Sequence, residues 1–129
     1  MSRTGSAWRI DMSWGYHLLL NCRACDREAI ASENTIRLWC RDLLQRIAMR
    51  PIGNAIVIPT GMHEERLAGY TLIQVIETSS ITAHFVDSTG SAYIDVFSCR
   101  DFDTSDVEDC VRRHFRPENI GRVFIERQA

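Results

Sequence analysis

The chain is predicted to fold as an α+β domain: a two-layer sandwich with a largely antiparallel sheet and two helices on one face. Three observations predict it. Short apolar runs of strand length recur along the chain, several bounded by turn residues. Two other stretches repeat their apolar residues at helical spacing. The strands come in clusters rather than in strict alternation with helices, which disfavours a parallel α/β sheet. No repeat, low-complexity tract or linker interrupts residues 1–129, so the chain is read as one domain.

Residues 1–13 read as a polar lead-in, with Trp8 or Trp14 folded back onto the body. Gly15 to Cys22 is an apolar run suited to a buried strand, with His17 as a hydrogen-bonded structural residue. Ser32 to Met49 is the clearest helix: Ile36, Cys40, Leu43, Leu44 and Ile47 form one stripe, and Pro51 and Gly53 end it. Ala55 to Ile58 is a short strand cut off at Pro59, and Thr60 to Ala68 is a polar loop. From Tyr70 a mostly apolar strand carries Leu72, Ile73, Val75 and Ile76. Residues 81–86 and 91–98 form a hairpin about the turn Asp87 to Gly90, with Ile81, Ala83 and Phe85 alternating with Thr82 and His84. Ser105 with Glu108 fits a capping box for a second helix, whose inner face is Val107, Cys110, Val111, His114 and Phe115. Pro117 ends that helix, and Arg122 to Glu126 is a last strand. Helices on one face leave the other face of the sheet to be covered, which predicts a homodimer.

Composition narrows the function. The chain is 45% hydrophobic and 25% charged, ordinary for a globular protein. A net charge of −2 and a pI near 6.1 give no footprint for nucleic acid. No apolar run is long enough for a membrane helix, and no signal peptide pattern opens the chain, so a cytoplasmic location is expected. Five scattered cysteines without an export signal read as free thiols. The lone CxxC at Cys22 and Cys25 lacks the second pair of a zinc ribbon and trails a strand; buried thiols are the better reading, and no metal is expected.

The chemistry concentrates between Glu77 and Cys99. Ser79 sits between two strands, where a tight turn can strain the peptide bond before it. Its hydroxyl can attack the Thr78 carbonyl and convert that amide to an ester. Loss of the serine α-proton then breaks the ester by elimination, and hydrolysis with loss of ammonia leaves a pyruvoyl group on the new N-terminus. His84 is the candidate base, because imidazole titrates near neutrality. Thr71, on the preceding strand, can steady the ester. A pyruvoyl carbonyl forms a Schiff base with a substrate amine and accepts electrons as carbon dioxide leaves. Cys99 would return a proton to the carbanion. The same residues have a plainer reading: a Thr-Ser-Ser turn, a solvent-facing sheet histidine and a core thiol.

The chain resembles the bacterial S-adenosylmethionine decarboxylase family of self-cleaving pyruvoyl enzymes. The run GYHLLLNC from Gly15 and ACDRE from Ala24 to Glu28 resemble the family's first strand and its continuation. His63 and Gly69 fall on a histidine and a glycine of its central loop. Ser79 matches the serine that becomes pyruvoyl, Thr71 a serine implicated in processing, His84 the processing histidine, and Cys99, ending YIDVFSC, the catalytic acid. The resemblance implies cleavage between Thr78 and Ser79 into 1–78 and 79–129, a covalent pyruvoyl cofactor from Ser79, and a role in spermidine synthesis. There are departures. The family cuts between glutamate and serine, whereas Glu77 stands one place early and Thr78 and Ser80 flank Ser79. The family's His-Thr-Trp-Pro-Glu is His84-Phe85-Val86-Asp87-Ser88 here, so Ser88 replaces the ribose-binding glutamate, and Glu65 stands where an adenine-stacking aromatic is expected. Phe85 or Tyr93 is the available substitute. Three functions therefore stand: decarboxylation of S-adenosylmethionine; decarboxylation of a basic amino acid such as ornithine or arginine, paired by Glu64, Glu65 and Asp87; or an unprocessed relative that binds a ligand or partner subunit.

Overall fold

The computed structural model describes residues 13–129. Trp8 lies outside the described residues; Trp14 is exposed, its ring 6.1 Å from that of Phe97. The elements run β1 (Gly15–Arg23), α1 (Arg27–Ile30), α2 (Glu33–Arg46), β2 (Ile56–Thr60), β3 (Gly69–Ile76), β4 (Ser79–Val86), β5 (Ser91–Ser98), α3 (Thr104–Phe115) and β6 (Asn119–Arg127). All six strands join one sheet in the order β2-β3-β4-β5-β1-β6, and every pairing is antiparallel. The α+β, two-layer class is as predicted, with a third, very short helix added.

Alternation along the strands builds the two layers. Leu18, Leu20, Leu72, Ile81, Ile94 and Val96 are fully buried on one face and pack against Ile36, Trp39, Leu43, Val107 and Phe115 of the helices in a single core cluster. At its centre the rings of Trp39, Phe85 and Phe115 meet pairwise at 5.0–6.2 Å, the tilted and edge-on geometry that aromatic quadrupoles favour. The opposite face carries Ile56, Ile58, Ile73, Val75, Val123 and Ile125, all exposed. An apolar sheet face of that extent is unusual on a free surface.

Several local expectations are corrected. The first long helix ends at Arg46, with Ile47 as C-cap and Ala48 at φ 53°, before Pro51 is reached. β2 continues through Pro59 to Thr60, because an edge strand has one side on which the missing N–H is not needed. In β3 the apolar Ile73 and Val75 face outward while Gln74 is buried, its amide donating to the carbonyls of Gly53 and Val75. The N-cap of α3 is Asp103, which accepts from the Ser105 N–H. Glu108 closes no capping box; it is buried and clasped by Arg112 (3.5 Å) and Arg122 (2.7 Å). Helix α1, capped by Asp26, spans too few residues for a periodic signal. β6 is longer than predicted and pairs with β1 along its whole length.

Candidate active site

The hairpin β3–β4 positions most of the chemistry. Ile76 pairs with Ser79, so Glu77 and Thr78 alone make the turn. Two-residue hairpins normally place φ > 0 on a turn residue. Here neither Glu77 nor Thr78 does so; the positive φ, 153°, falls on Ser79, the first residue of β4, a region sparsely open to a residue with a Cβ. Strain therefore falls on the residue that follows the Thr78 carbonyl.

That carbonyl is held from the neighbouring strand. Ser79 pairs with Ser98 across β4–β5, and the next residue, Cys99, donates its N–H to the Thr78 oxygen at 3.0 Å. The buried Ser98 hydroxyl donates to Thr78 Oγ1 at 2.8 Å and accepts from the Arg100 N–H at 3.0 Å. Thr78 Oγ1 in turn donates to Met49 Sδ at 3.4 Å, and the Glu77 N–H bonds to the Arg50 carbonyl. The amide before Ser79 is thus fixed on its carbonyl side by backbone and hydroxyl contacts. Cys99 is exposed; Cys22, Cys25, Cys40 and Cys110 are buried free thiols. Burial pushes those four up, to about 12 for Cys22 and Cys110 and about 11 for Cys25 and Cys40.

A second cluster sits at the other end of β4. Thr71 and His84 are direct cross-strand partners on the exposed sheet face, and Thr71 Oγ1 lies 2.8 Å from His84 Nδ1. His84 Nε2 is 2.8 Å from the Leu67 carbonyl, which can only accept. The proton therefore belongs on Nε2, and Nδ1 presents a lone pair to the Thr71 hydroxyl. Thr60 Oγ1 completes the group, 2.5 Å from Thr71 Oγ1 and 3.3 Å from His84 Nδ1. Thr60 and Ser98 were missed from sequence. Thr60 was assigned to a loop, and a serine ending an apolar strand carries no signal of its own.

The structure brings Thr78, Ser79 and Cys99 together, and Thr71 and His84 together, but not the two groups. Five residues along an extended strand separate Ser79 from His84, about 16 Å at about 3.3 Å per residue. An open pocket of about 330 Å³ lies beside His84, lined by Arg66, Leu67, Val86, Thr89, Ser91 and Tyr93. Tyr93 is the register partner of His84 and is exposed. Phe85 points the other way into the aromatic core, 0% exposed, and offers no surface to a ligand. Asp87, Glu65 and His63 are exposed; Glu64 is paired with Arg66 at 3.1 Å, and the Asp87 N–H is bonded to the Ala68 carbonyl. A cleft of about 530 Å³ between α2 and the segment 51–55, lined by Arg37, Arg41 and Gln74 among others, shares no lining residue with either cluster. His17 pairs with Asp95 at 3.2 Å, a structural contact as expected. Gly69 begins β3 because a Cβ there would meet the Phe85 carbonyl oxygen at 1.7 Å. Among the described residues no helix is long and apolar enough to cross a membrane.

Fold and site together define an α+β protein with a strained serine after a clamped carbonyl. A family model described as S-adenosylmethionine decarboxylase matches residues 16–128. The chain belongs to the S-adenosylmethionine decarboxylase family, and a decarboxylase acting on a small molecule is what that membership implies. Among solved structures it is similar to the adenosylmethionine decarboxylase from Aquifex aeolicus VF5, at 20% identity and a TM-score of 0.78, covering 92% of this chain and 94% of that one. At that identity the likeness shows the shared fold. No curated protein sequence matches the chain.

Proposed function

We propose that this protein is a self-processing, pyruvoyl-dependent decarboxylase that acts on S-adenosylmethionine in spermidine synthesis, as a homodimer. The observation that carries the proposal is the Thr78–Ser79 peptide: φ 153° at Ser79 and a Cys99 N–H at 3.0 Å on the Thr78 oxygen. Attack by the Ser79 hydroxyl puts negative charge on that oxygen, where the Cys99 N–H is already aimed, within the 2.7–3.1 Å span typical of oxyanion donors. Moving the acyl group from nitrogen to oxygen also releases the backbone constraint at Ser79. Bond breaking at 78/79 yields 1–78 and 79–129.

The residues present fit a pyruvoyl group at position 79. It would supply a carbonyl that holds the substrate amine and draws electrons from the bond to the departing carboxylate. Cys99, one residue past the register partner of Ser79, is the exposed thiol that would deliver the product proton. His84 is the base for the Ser79 α-proton, oriented by Thr71 and Thr60. The separation of about 16 Å requires His84 from a second copy. Two exposed apolar faces packed together, with β4 antiparallel over its own copy, set each Ser79 over the partner's His84 end and bury Ile73, Val75 and their neighbours.

The test is the intact mass of purified protein under denaturing conditions, followed by release of labelled carbon dioxide from carboxyl-labelled S-adenosylmethionine. Two fragments, the second blocked at its N-terminus, with turnover of this substrate, are expected. Fragments that turn over ornithine or arginine instead would transfer the chemistry to a basic amino acid. A single uncleaved chain after long incubation would overturn the processing scheme and favour a binding role, for which Thr78 and Ser80 beside Ser79 are the motive.

A further inference from the structure

Away from the sheet face, helices α2 and α3 bring together three side chains of ligand type. Asp42 projects from α2; Cys110 and His114, four residues apart, share one face of α3. One ligand atom from each lies within 4.8 Å of the others. His114 Nε2 is 2.9 Å from Asp42 Oδ2, and Cys110 Sγ is 3.5 Å from the same oxygen. Cys110 is fully buried, whereas the Asp42 and His114 side chains keep 30% and 23% of their exposure. The cluster is therefore closed on the sulfur side and open to water on the other.

We propose that Asp42, Cys110 and His114 form a Zn²⁺ site that ties α2 to α3. The donor set selects the metal. One thiolate, one imidazole and one carboxylate suit a borderline-soft ion in tetrahedral geometry, and are poor ligands for Mg²⁺ or Ca²⁺, which take oxygens. Three protein ligands leave the fourth position to a water on the open side. Zn²⁺ displaces the Cys110 thiol proton to solvent. With one thiolate, one carboxylate and a neutral imidazole, the filled site carries no net charge. Arg46, whose charge acts on both Asp42 and Cys110, is paired with Asp109 at 2.9 Å, so its repulsion on an incoming ion is offset. The Asp42–His114 bond already holds the carboxylate and the imidazole together; the ion enters by replacing that bond with two stronger ones. Because Phe115, next to His114, packs on Phe85 and Trp39, locking α3 to α2 stiffens the layer beneath β4. The site stands independently of the decarboxylase reading.

Co²⁺ titration of chelator-treated, full-length protein tests it. One equivalent should produce a thiolate-to-cobalt charge-transfer band with the visible bands of a four-coordinate ion, both bleached by Zn²⁺, and Zn²⁺ should raise the melting temperature. Cys110→Ser should abolish the charge-transfer band, His114→Gln and Asp42→Asn should weaken binding by more than about tenfold, and Cys22→Ser should leave it unchanged. Absence of the band in folded wild-type protein at excess Co²⁺ would overturn the proposal. So would a band that survives in folded Cys110→Ser or vanishes in folded Cys22→Ser. Should Cys110→Ser not fold, His114→Gln decides, since that side chain lies at the surface edge: unchanged affinity there also overturns the site.

Discussion

If His84 acts across a subunit boundary, two inactive chains should rescue each other. Within one chain Ser79 and His84 are about 16 Å apart along β4, whereas a base must come within about 3 Å of the proton it takes. Side-chain reach and loop adjustment do not close a gap of more than about 10 Å inside a hydrogen-bonded central strand. Facing sheets, by contrast, stand about 10 Å apart, so a second copy can bring its His84 to the Ser79 end of β4. Ser79→Ala should not cleave, because its hydroxyl is gone; His84→Ala should not cleave, because no copy offers the base. Co-refolded in equal amounts, about half of the Ser79-bearing chains meet a partner that still has His84, so about half of them should be cut. The assay is intact mass on chains distinguished by a small tag. Cleavage of His84→Ala alone would remove His84 from processing. No cleavage in the mixture, with wild-type chains cutting and mixed dimers demonstrably formed, would refute the cross-subunit geometry.

Three further outcomes are expected. Gly69→Ala puts a methyl 1.7 Å from the Phe85 carbonyl oxygen, against backbone rather than a mobile side chain; the β3–β4 ladder must open, costing about 2 kcal/mol or more in denaturant unfolding, and an unchanged midpoint would refute the close approach. In native protein at neutral pH, iodoacetamide should modify Cys99 alone, because burial pushes the thiols of Cys22 and Cys110 up to about 12 and of Cys25 and Cys40 up to about 11; peptide mapping that finds rapid labelling at any of the four would refute their burial. The Asp26 carboxyl is held below its ordinary 3.8 by the Arg116 guanidinium, then by the Ala29 N–H. A carboxylate depressed on folding stabilises above its unfolded value, and that stability is lost as pH falls through the folded one. Melting temperature should therefore decline on acidification below about pH 4, and less steeply in Asp26→Asn; parallel acid limbs would dismiss the contact.

The sequence by itself determined the class of fold and where the chemistry could lie. Period-two alternation around Ile81, Ala83 and Phe85 marks a half-buried strand, and the stripe from Ile36 to Ile47 marks a helix, because both signals depend on neighbours a few residues away. Ser79 and Cys99 were legible as candidates through residue type and the resemblance. What depends on distant partners was not. Nothing near Phe85 shows that its ring closes on Trp39 and Phe115; that follows from which sheet face the helices cover. Ile73 and Val75, legible only as part of a mostly apolar strand, stand exposed, while Gln74 is buried, because the face is chosen by pairing with β4 and not by the local run. The Cys99 N–H on the Thr78 oxygen depends on the β4–β5 register. Asp42 meets His114 across 72 residues of chain only because α2 and α3 lie side by side. Local periodicity is a property of the backbone's own repeat, but a site is a meeting of side chains, and only tertiary packing decides which of them meet.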